Sequence, residues 1–436
     1  MKQVTVVLTL ALMLVAGGAL AADNGAEKKV LTLAQAQDAA MQNSLTIKDA
    51  NYDLEAAQKK IWETTATGLP QADAKYNFTY NPGSIATLPM GPNGEEIPIM
   101  QRTTSNLTAT VSQLIFSGSY IVGLKASKTY REIVQQSLEK TQIDVRSAVA
   151  QSYYLILLTN QTAEVLKGNL GNLNKLLDDS QKMLDKGFAE ETDVDQLRLS
   201  VNDLKLSLES ILNQEKVARR LLNFQIGLEL ETSIELSDKL EDIVRGINRE
   251  KVIQTPFVLD SNIDYRMALT NIKSTKLLYN LEQVNYLPTV AGFYQYYKDF
   301  KSTVFSFNPQ QMLGLSVTIP IFSSGQRYSK VQQARLKMNK AENAREQAAR
   351  ALTMEYQQAR EDFNTAWEKY LNSKSSQSLA QKVFKDVTIK YNNGMASSMD
   401  LTQANDKLLQ TVSNLYSVEF DLLKAKIRLD KVTSNL

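Results

Sequence analysis

The sequence has 436 residues, a formal net charge of +2, and neither Cys nor His. Near-neutral charge argues against a nucleic-acid binder steered by a basic surface. Without Cys there is no disulfide and no thiol to carry a lipid, and without either residue the usual nucleophile–base pairs and metal sites lack their components, so no catalytic, cofactor or metal centre is expected.

The chain opens with Lys2 and an apolar run that ends in Ala19-Leu20-Ala21. A short positive region, an apolar core and small residues at A-x-A spacing predict a secretory signal over residues 1–21. Beyond it no run approaches the ~18 apolar residues of a membrane-spanning helix, so any bilayer crossing has to use strands. A helical pattern at about 34–67 ends in Leu69-Pro70. It is followed by "ADAKYNFTYN" (72–81), in which Ala74, Tyr76, Phe78 and Tyr80 alternate with Lys75, Asn77, Thr79 and Asn81. After a Pro- and Gly-rich loop (82–104) comes "LTATVSQ" (107–113), with Leu107, Ala109 and Val111 alternating against Thr108, Thr110 and Ser112. Period-2 alternation over such a length, with aromatics toward the strand ends, fits transmembrane β-strands; a soluble hairpin is the alternative for either one taken singly.

"LIFSGS" (114–119) then opens a helical pattern that runs to about 186. At 1.5 Å per residue that helix is ~100 Å long. The stretch "KGFAEETDVDQ" (186–196) turns the chain into a further helix, roughly 190–226, whose Val194, Leu197, Val201, Leu204, Leu208 and Ile211 repeat at 3-4 spacing. Such a period lays helices side by side in a coiled-coil seam. Residues 229–259 read as a short strand, a helix and a linker.

The plan then repeats. Leu287 stands 218 residues after Leu69, and Gly394 stands 207 after Gly187; the difference is a longer hairpin loop in the first copy. Tyr294 and Tyr296 mark a strand, and Leu313, Leu315, Val317 and Ile319 the next. "PIFSSG" (320–325) opens a second long helix to about 391, with Val331, Ala334, Met338, Ala341, Ala348 and Leu352 on its seam. "NGMASSMDLTQ" (393–403) repeats the first turn, with Gly394, Ala396, Asp400 and Gln403 in the places of Gly187, Ala189, Asp193 and Gln196. The last helix carries Leu401, Ala404, Leu408, Thr411, Leu415, Val418, Leu422, Ala425 and Leu429. The glycines suit a left-handed helix end, and the aspartates suit the start of the next helix, where a carboxylate meets free N–H groups. The expected organisation is a first repeat over 22–228 (hairpin 72–116, tip 187–193), an equatorial segment over 229–259, and a second repeat over 260–436 (hairpin 289–322, tip 394–400). Each long helix outlasts the one after its turn, so two shorter helices stacked end to end are expected to cover it.

Four strands do not close a membrane barrel, and open edges in lipid leave costly unpaired backbone groups. Strands in the bilayer therefore require an oligomer, of two chains with eight strands or three with twelve. The tandem plan, the "LTLAQAQDAAMQNSLTIKDA" opening, both Leu-Pro junctions, "KGFAEETDV" and "YNNGMASSMDLTQA" resemble the TolC family of outer-membrane efflux proteins over about residues 30–436.

That resemblance implies a mainly α fold with a small transmembrane β part: a homotrimer whose 12-stranded β-barrel in outer-membrane lipid continues as a 12-helix α-barrel tunnel across the periplasm. It implies a passive exit duct of a tripartite efflux or type I secretion system, served by a periplasmic adaptor and an inner-membrane pump. The tips at Gly187, Ala189, Gly394 and Ala396 are expected to dock the adaptor. Thr192, Asp193 and Tyr391 match positions that link the closed tips, Asp400 an acidic ring position, and Gln403 a second ring position that is acidic elsewhere in the family. The basic link partner falls at Ala396, so fewer polar links are expected. Tyr76, Phe78, Tyr80, Leu107, Ala109, Val111, Tyr294, Tyr296, Leu313, Leu315 and Val317 are the expected lipid-facing set. A soluble periplasmic coiled-coil adaptor or scaffold is the rival reading.

Overall fold

The computed structural model describes residues 29–83, 87–89, 96–98, 102–188, 190–300 and 308–435. The signal expected over residues 1–21, and Ala189, lie outside these. Strand β1 (Lys29–Leu31) leads into α1 (Leu33–Asn43), which Thr32 and Gln35 start with a reciprocal capping box. Helix α2 (Leu45–Ala66) follows. The single helix expected over 34–67 is thus two. Ser44 takes an extended ψ of 129° and ends the first, and Gly227, packed on the backbone of Asn43, occupies the bend.

Strand β2 (Gln71–Tyr80) comes next, then a small ribbon of β3 (Thr87–Pro89) and β4 (Glu96–Pro98) within the loop that the sequence presents as irregular. Strand β5 (Thr103–Phe116) runs into α3 (Gly118–Asp185), and α4 (Glu191–Gln225) returns along it. The equatorial segment holds β6 (Ile234–Leu236) and two short helices where one was expected, α5 (Leu240–Arg245) and α6 (Arg249–Gln254). Gly246 and the Asn248 cap separate them. Helix α7 (Ile263–Val284), strands β7 (Thr289–Asp299) and β8 (Gln311–Thr318), and helices α8 (Gln326–Asn392) and α9 (Ser398–Val432) complete the chain.

Helix α3 packs on α2 in its first part and on α4 in its second; α8 packs likewise on α7 and α9. The body is therefore a column, about 100 Å tall for a 68-residue helix. Its two halves join through α3 against α7 above and α3 against α9 below. That leaves α2 and α4 on one flank and α8 on the other.

The sheet has the same sidedness. Its order is β2-β5-β7-β8, all antiparallel, so the two hairpins form one sheet through β5 and β7. Among the described residues, the outer edges of β2 and β8 pair with nothing further. Directly opposed residues of antiparallel strands share a face. The register aligns Tyr76 with Leu107, Ala109 with Tyr296, Val111 with Tyr294, and Tyr294 with Leu313. Phe78, Tyr80, Leu315 and Val317 follow by two-residue steps, which puts all eleven apolar strand residues singled out from the sequence on one face. The other face carries Asp73, Lys75, Asn77, Thr108 and Thr110, with Asn77 donating to Asn106 Oδ1 at 3.1 Å.

The main core sits at mid-height. Ala36, Val149, Tyr153, Ile156, Leu222, Ile234, Leu240, Phe363 and Leu422 pack there, each shielded from solvent. Strand β1 pairs in parallel with β6 and wraps the equatorial segment onto the column. Tyr153 fastens this belt: its hydroxyl donates to Leu31 O at 2.9 Å or to Asp238 Oδ2 at 2.8 Å. Burial, and then the hydrogen bond to Asp238, push the Tyr153 hydroxyl far above the usual tyrosine range, so it stays a donor. At the foot of the second repeat the Asn262 side chain caps α7 and donates to Val432 O at 3.1 Å.

Candidate functional site: the paired hairpin tips

Both coiled-coil hairpins turn by the same backbone device. In the first, Phe188 N–H donates to Met183 O at 2.8 Å and Gly187 N–H to Leu184 O at 2.9 Å. In the second, Met395 N–H donates to Lys390 O at 2.8 Å and Gly394 N–H to Tyr391 O at 2.9 Å. This pair of bonds is the Schellman arrangement, which needs a left-handed residue just past the helix; Gly187 (φ 77°) and Gly394 (φ 69°) supply it. The residue after each glycine is apolar and left out in solvent, with Phe188 82% and Met395 69% exposed. Met183, Met399 and Ile389 are exposed beside them.

The two turns then diverge at the start of the following helix. Ser397 caps α9, accepting from Asp400 N–H at 3.1 Å, while the Asp400 carboxylate accepts from Ser397 N–H at 3.0 Å and from its hydroxyl at 2.8 Å. These bonds, the backbone one first, hold the Asp400 carboxyl below the usual carboxylate range. In the first repeat the cap position holds Glu190, which makes no side-chain capping bond. Asp193 therefore does not close a capping box, contrary to the helix-capping role expected from its position. Its Oδ1 accepts from Ser398, a buried hydroxyl on the other hairpin. One exchange, Ser for Glu at the cap, redirects the same aspartate from its own helix to a neighbour.

A second link joins the hairpins: Ser180 Oγ on α3 and Tyr391 Oη on α8 lie 3.1 Å apart. Tyr391 and Asp193 thus share one junction between the tips, whereas Thr192, Asp400 and Gln403 stay outside it. Thr192 points to Glu190 Oε2 at 3.4 Å, and Gln403 is exposed. Ala396 is half-buried and brings no charge. The partners Ser180 and Ser398 are not among the residues singled out from the sequence. Internal repetition does not reveal them, because at the 207-residue offset Ser398 falls opposite Glu191 and Ser180 opposite Val387.

Further up the junction, polar side chains stay buried. Asn405 is 1% exposed with neither amide atom bonded, and Asn169 of α3 is buried with its nitrogen free. Asp406 is raised in pKa by burial and then by Asp203. Among the described residues no group of three or more acidic side chains could hold a metal ion, and no helix is long and apolar enough to cross a membrane.

A column of paired helical hairpins, a four-stranded sheet with one apolar face, and tips at the far end make up the architecture of an outer-membrane channel protein. The model of the family described as outer membrane efflux protein matches residues 36–228 and 257–435. This chain belongs to that family; it is an outer-membrane exit duct that extends into the periplasm. Among solved structures it is similar to the outer membrane protein VceC of Vibrio cholerae, at 15% identity and TM-score 0.72, covering 92% of this chain and 95% of that one. The CmeC outer membrane channel of Campylobacter jejuni matches at 17% identity and TM-score 0.73, covering 92% and 85%. The MtrE outer membrane channel of Neisseria gonorrhoeae, described in its open state, matches at 14% and 0.71, covering 92% and 88%. No curated protein sequence matches this chain.

Proposed function

We propose that three copies close into one hollow cylinder, twelve strands above and twelve helices abreast below, and that the duct conducts passively, with no catalysis of its own. The observation that carries this reading is the agreement of the two flanks. On one flank stand the free edge of β2 and exposed apolar side chains of α2 and α4, including Tyr52, Trp62, Leu199, Leu206 and Val217. On the other stand the free edge of β8 and exposed Leu336 and Met354 of α8. The 67 residues of α8 match the combined length of α2 and α4, at 22 and 35, to within about three turns. A further copy satisfies sheet edge and helix flank with one movement, and ring closure is what removes edges from a membrane sheet. Three is the number the family resemblance implies.

In this assembly the apolar face of the sheet meets lipid and the polar face lines the pore. The repeats divide at the equatorial belt, residues 22–228 and 260–436 flanking 229–259. Six tips ring the periplasmic mouth. The Asp193–Ser398 and Tyr391–Ser180 links hold paired tips together at rest; Asp400 and Gln403 add one acidic and one neutral position nearby. Phe188 and Met395, beside Gly187, Ala189, Gly394 and Ala396, form apolar knobs that fit a periplasmic adaptor, through which an inner-membrane pump delivers its cargo. A soluble adaptor or scaffold has no use for a sheet whose apolar face and both edges are bare.

The test is single-channel recording in planar bilayers. The wild type is expected to show small resting conductance that rises when Ser398→Ala and Tyr391→Phe are combined. A protein that inserts no channel would contradict the duct, and equal conductance in the double variant would contradict the tip links.

A further inference from the structure

Glu419 lies in α9 at the level of the main core, among Leu415, Leu422 and Leu423, with 2% of its surface exposed. It continues a row on α9 at seven-residue spacing, Asn405, Val412 and Glu419, all buried. Its surroundings come from four helices. Glu241 faces it from α5 and Lys374 from α8. Beside it on α9 is Tyr416, whose hydroxyl faces Gln161 of α3 and the carboxylates of Glu419, Glu241 and Glu164. The cation facing it is otherwise engaged: Lys374 Nζ lies 3.3 Å from Tyr370 Oη and 5.6 Å from the centre of the Tyr370 ring. Glu419 Oε2 has no hydrogen-bond partner, and no ion pair to Glu419 occurs among the described residues.

A buried carboxylate without a counter-ion is strongly disfavoured in its charged form, and a neighbouring like charge adds to the penalty. We propose that Glu419 is a proton-binding site at the waist of the duct: as a neutral carboxyl it locks the second hairpin, α8 and α9, against α3 and the belt helix α5, and its ionisation loosens that joint. The site lies away from the tips and does not depend on the links there.

Burial first, and Glu241 second, raise the Glu419 pKa from 4.5 to about 7, against a smaller lowering by Lys374. A folded value above the unfolded one means that the packed state binds the proton more tightly. The joint is then strongest below about 4.5, weakens above it, and has lost the whole contribution once pH passes about 7. In a chain without His, no side chain at its ordinary pKa titrates around pH 7, the upper end of that window.

The experiment uses the full-length protein in detergent, as wild type, Glu419→Gln and Glu241→Gln. Thermal midpoints are followed from about pH 5 to pH 8, together with the infrared band of a neutral carboxyl. Wild type and Glu419→Gln are expected to agree at the acid end and part as pH rises. At pH 8 the wild-type balance between packed and loosened joint is expected to be lower by up to about 300-fold. The wild-type neutral-carboxyl band should fade with a midpoint near 7 and be missing from Glu419→Gln. Glu241→Gln removes the like charge and should move that midpoint to lower pH. Parallel stability curves, or a wild type with no neutral-carboxyl band near pH 6, would overturn the proposal, and the Glu241→Gln reading decides even if Glu419→Gln assembles poorly.

Discussion

Replacing Gly187, Gly394 and Gly227 with Ala, one at a time, separates backbone strain from steric conflict. All three glycines are left-handed, with φ of 77°, 69° and 73°. Around Gly187 and Gly394 an added Cβ meets nothing within 4 Å, so each substitution meets only the left-handed penalty of an L-residue, about 1–2 kcal/mol. At Gly227 the same Cβ would stand 2.6 Å from Asn43 O and 2.8 Å from its carbonyl carbon. Backbone atoms do not rotate away, so an overpacking cost of about 1–3 kcal/mol adds to the strain, for about 2–5 kcal/mol in all. Amide hydrogen exchange reads each turn locally. Gly187→Ala should speed exchange at Phe188, and Gly394→Ala at Met395, by roughly 5- to 30-fold, since RT is about 0.59 kcal/mol. Asn in place of Ala should recover part of the protection, because its side chain tolerates this region. Gly227→Ala should loosen the α1–α2 bend and the end of α4 together. Unchanged exchange at the tips, or a Gly227 variant no worse than the tip variants, would refute the reasoning.

Other outcomes follow from the same geometry. Asp in place of Leu315 or Val317 should impair membrane assembly, whereas Asp in place of Thr108 or Thr110, on the opposite face, should be tolerated; heat-resistant oligomer on SDS gels is the readout, and equal effects would mean the wrong face is assigned. Phe363→Ala, which empties a fully shielded site in the main core, should cost about 3–5 kcal/mol and lower the thermal midpoint without altering the tip links. The Ser397–Asp400 box holds a carboxyl below its usual 3.8. Its contribution is present above that value and lost as pH falls through the lower folded one, so the first turn of α9 should fray in acid, and Asp400→Asn should abolish that acid step in the exchange rate of Leu401.

Helices were legible where period and punctuation coincide. The long helices end at Asp185 and Asn392, beside the glycines that mark the turns, and the seams named from their spacing are shielded at Leu197, Val201, Leu401, Ala404 and Leu422. Strand faces were equally readable, since a period of two has only one phase error, and the register aligns the apolar phase across all four strands. The Ser44 break was not legible, because the helical spacing of the buried Ala36, Ala40 and Ile47 runs through it unbroken and the bend depends on Gly227, far along the chain. The β3–β4 ribbon was hidden in a loop dense with Pro and Gly, the residues that ordinarily argue against strands. At the tips, sequence pointed to Asp193 and Tyr391 but not to Ser398 or Ser180, since a serine among many in a coiled coil carries no local signal. What the Asp193 carboxylate does was decided by the residue at the cap, Glu190 in one copy and Ser397 in the other.

Joining the two flanks covalently tests ring closure most directly. Lys59 on α2 and Leu336 on α8 lie at similar heights, seven residues below the end of one helix and ten below the start of the other. In this Cys-free chain, the double variant Lys59→Cys, Leu336→Cys treated with a short bis-maleimide should give a ladder of one, two and three chains that stops at three. Either single variant should give none of it. A ladder that never leaves the single chain, or one that climbs past three, would contradict a closed three-copy duct.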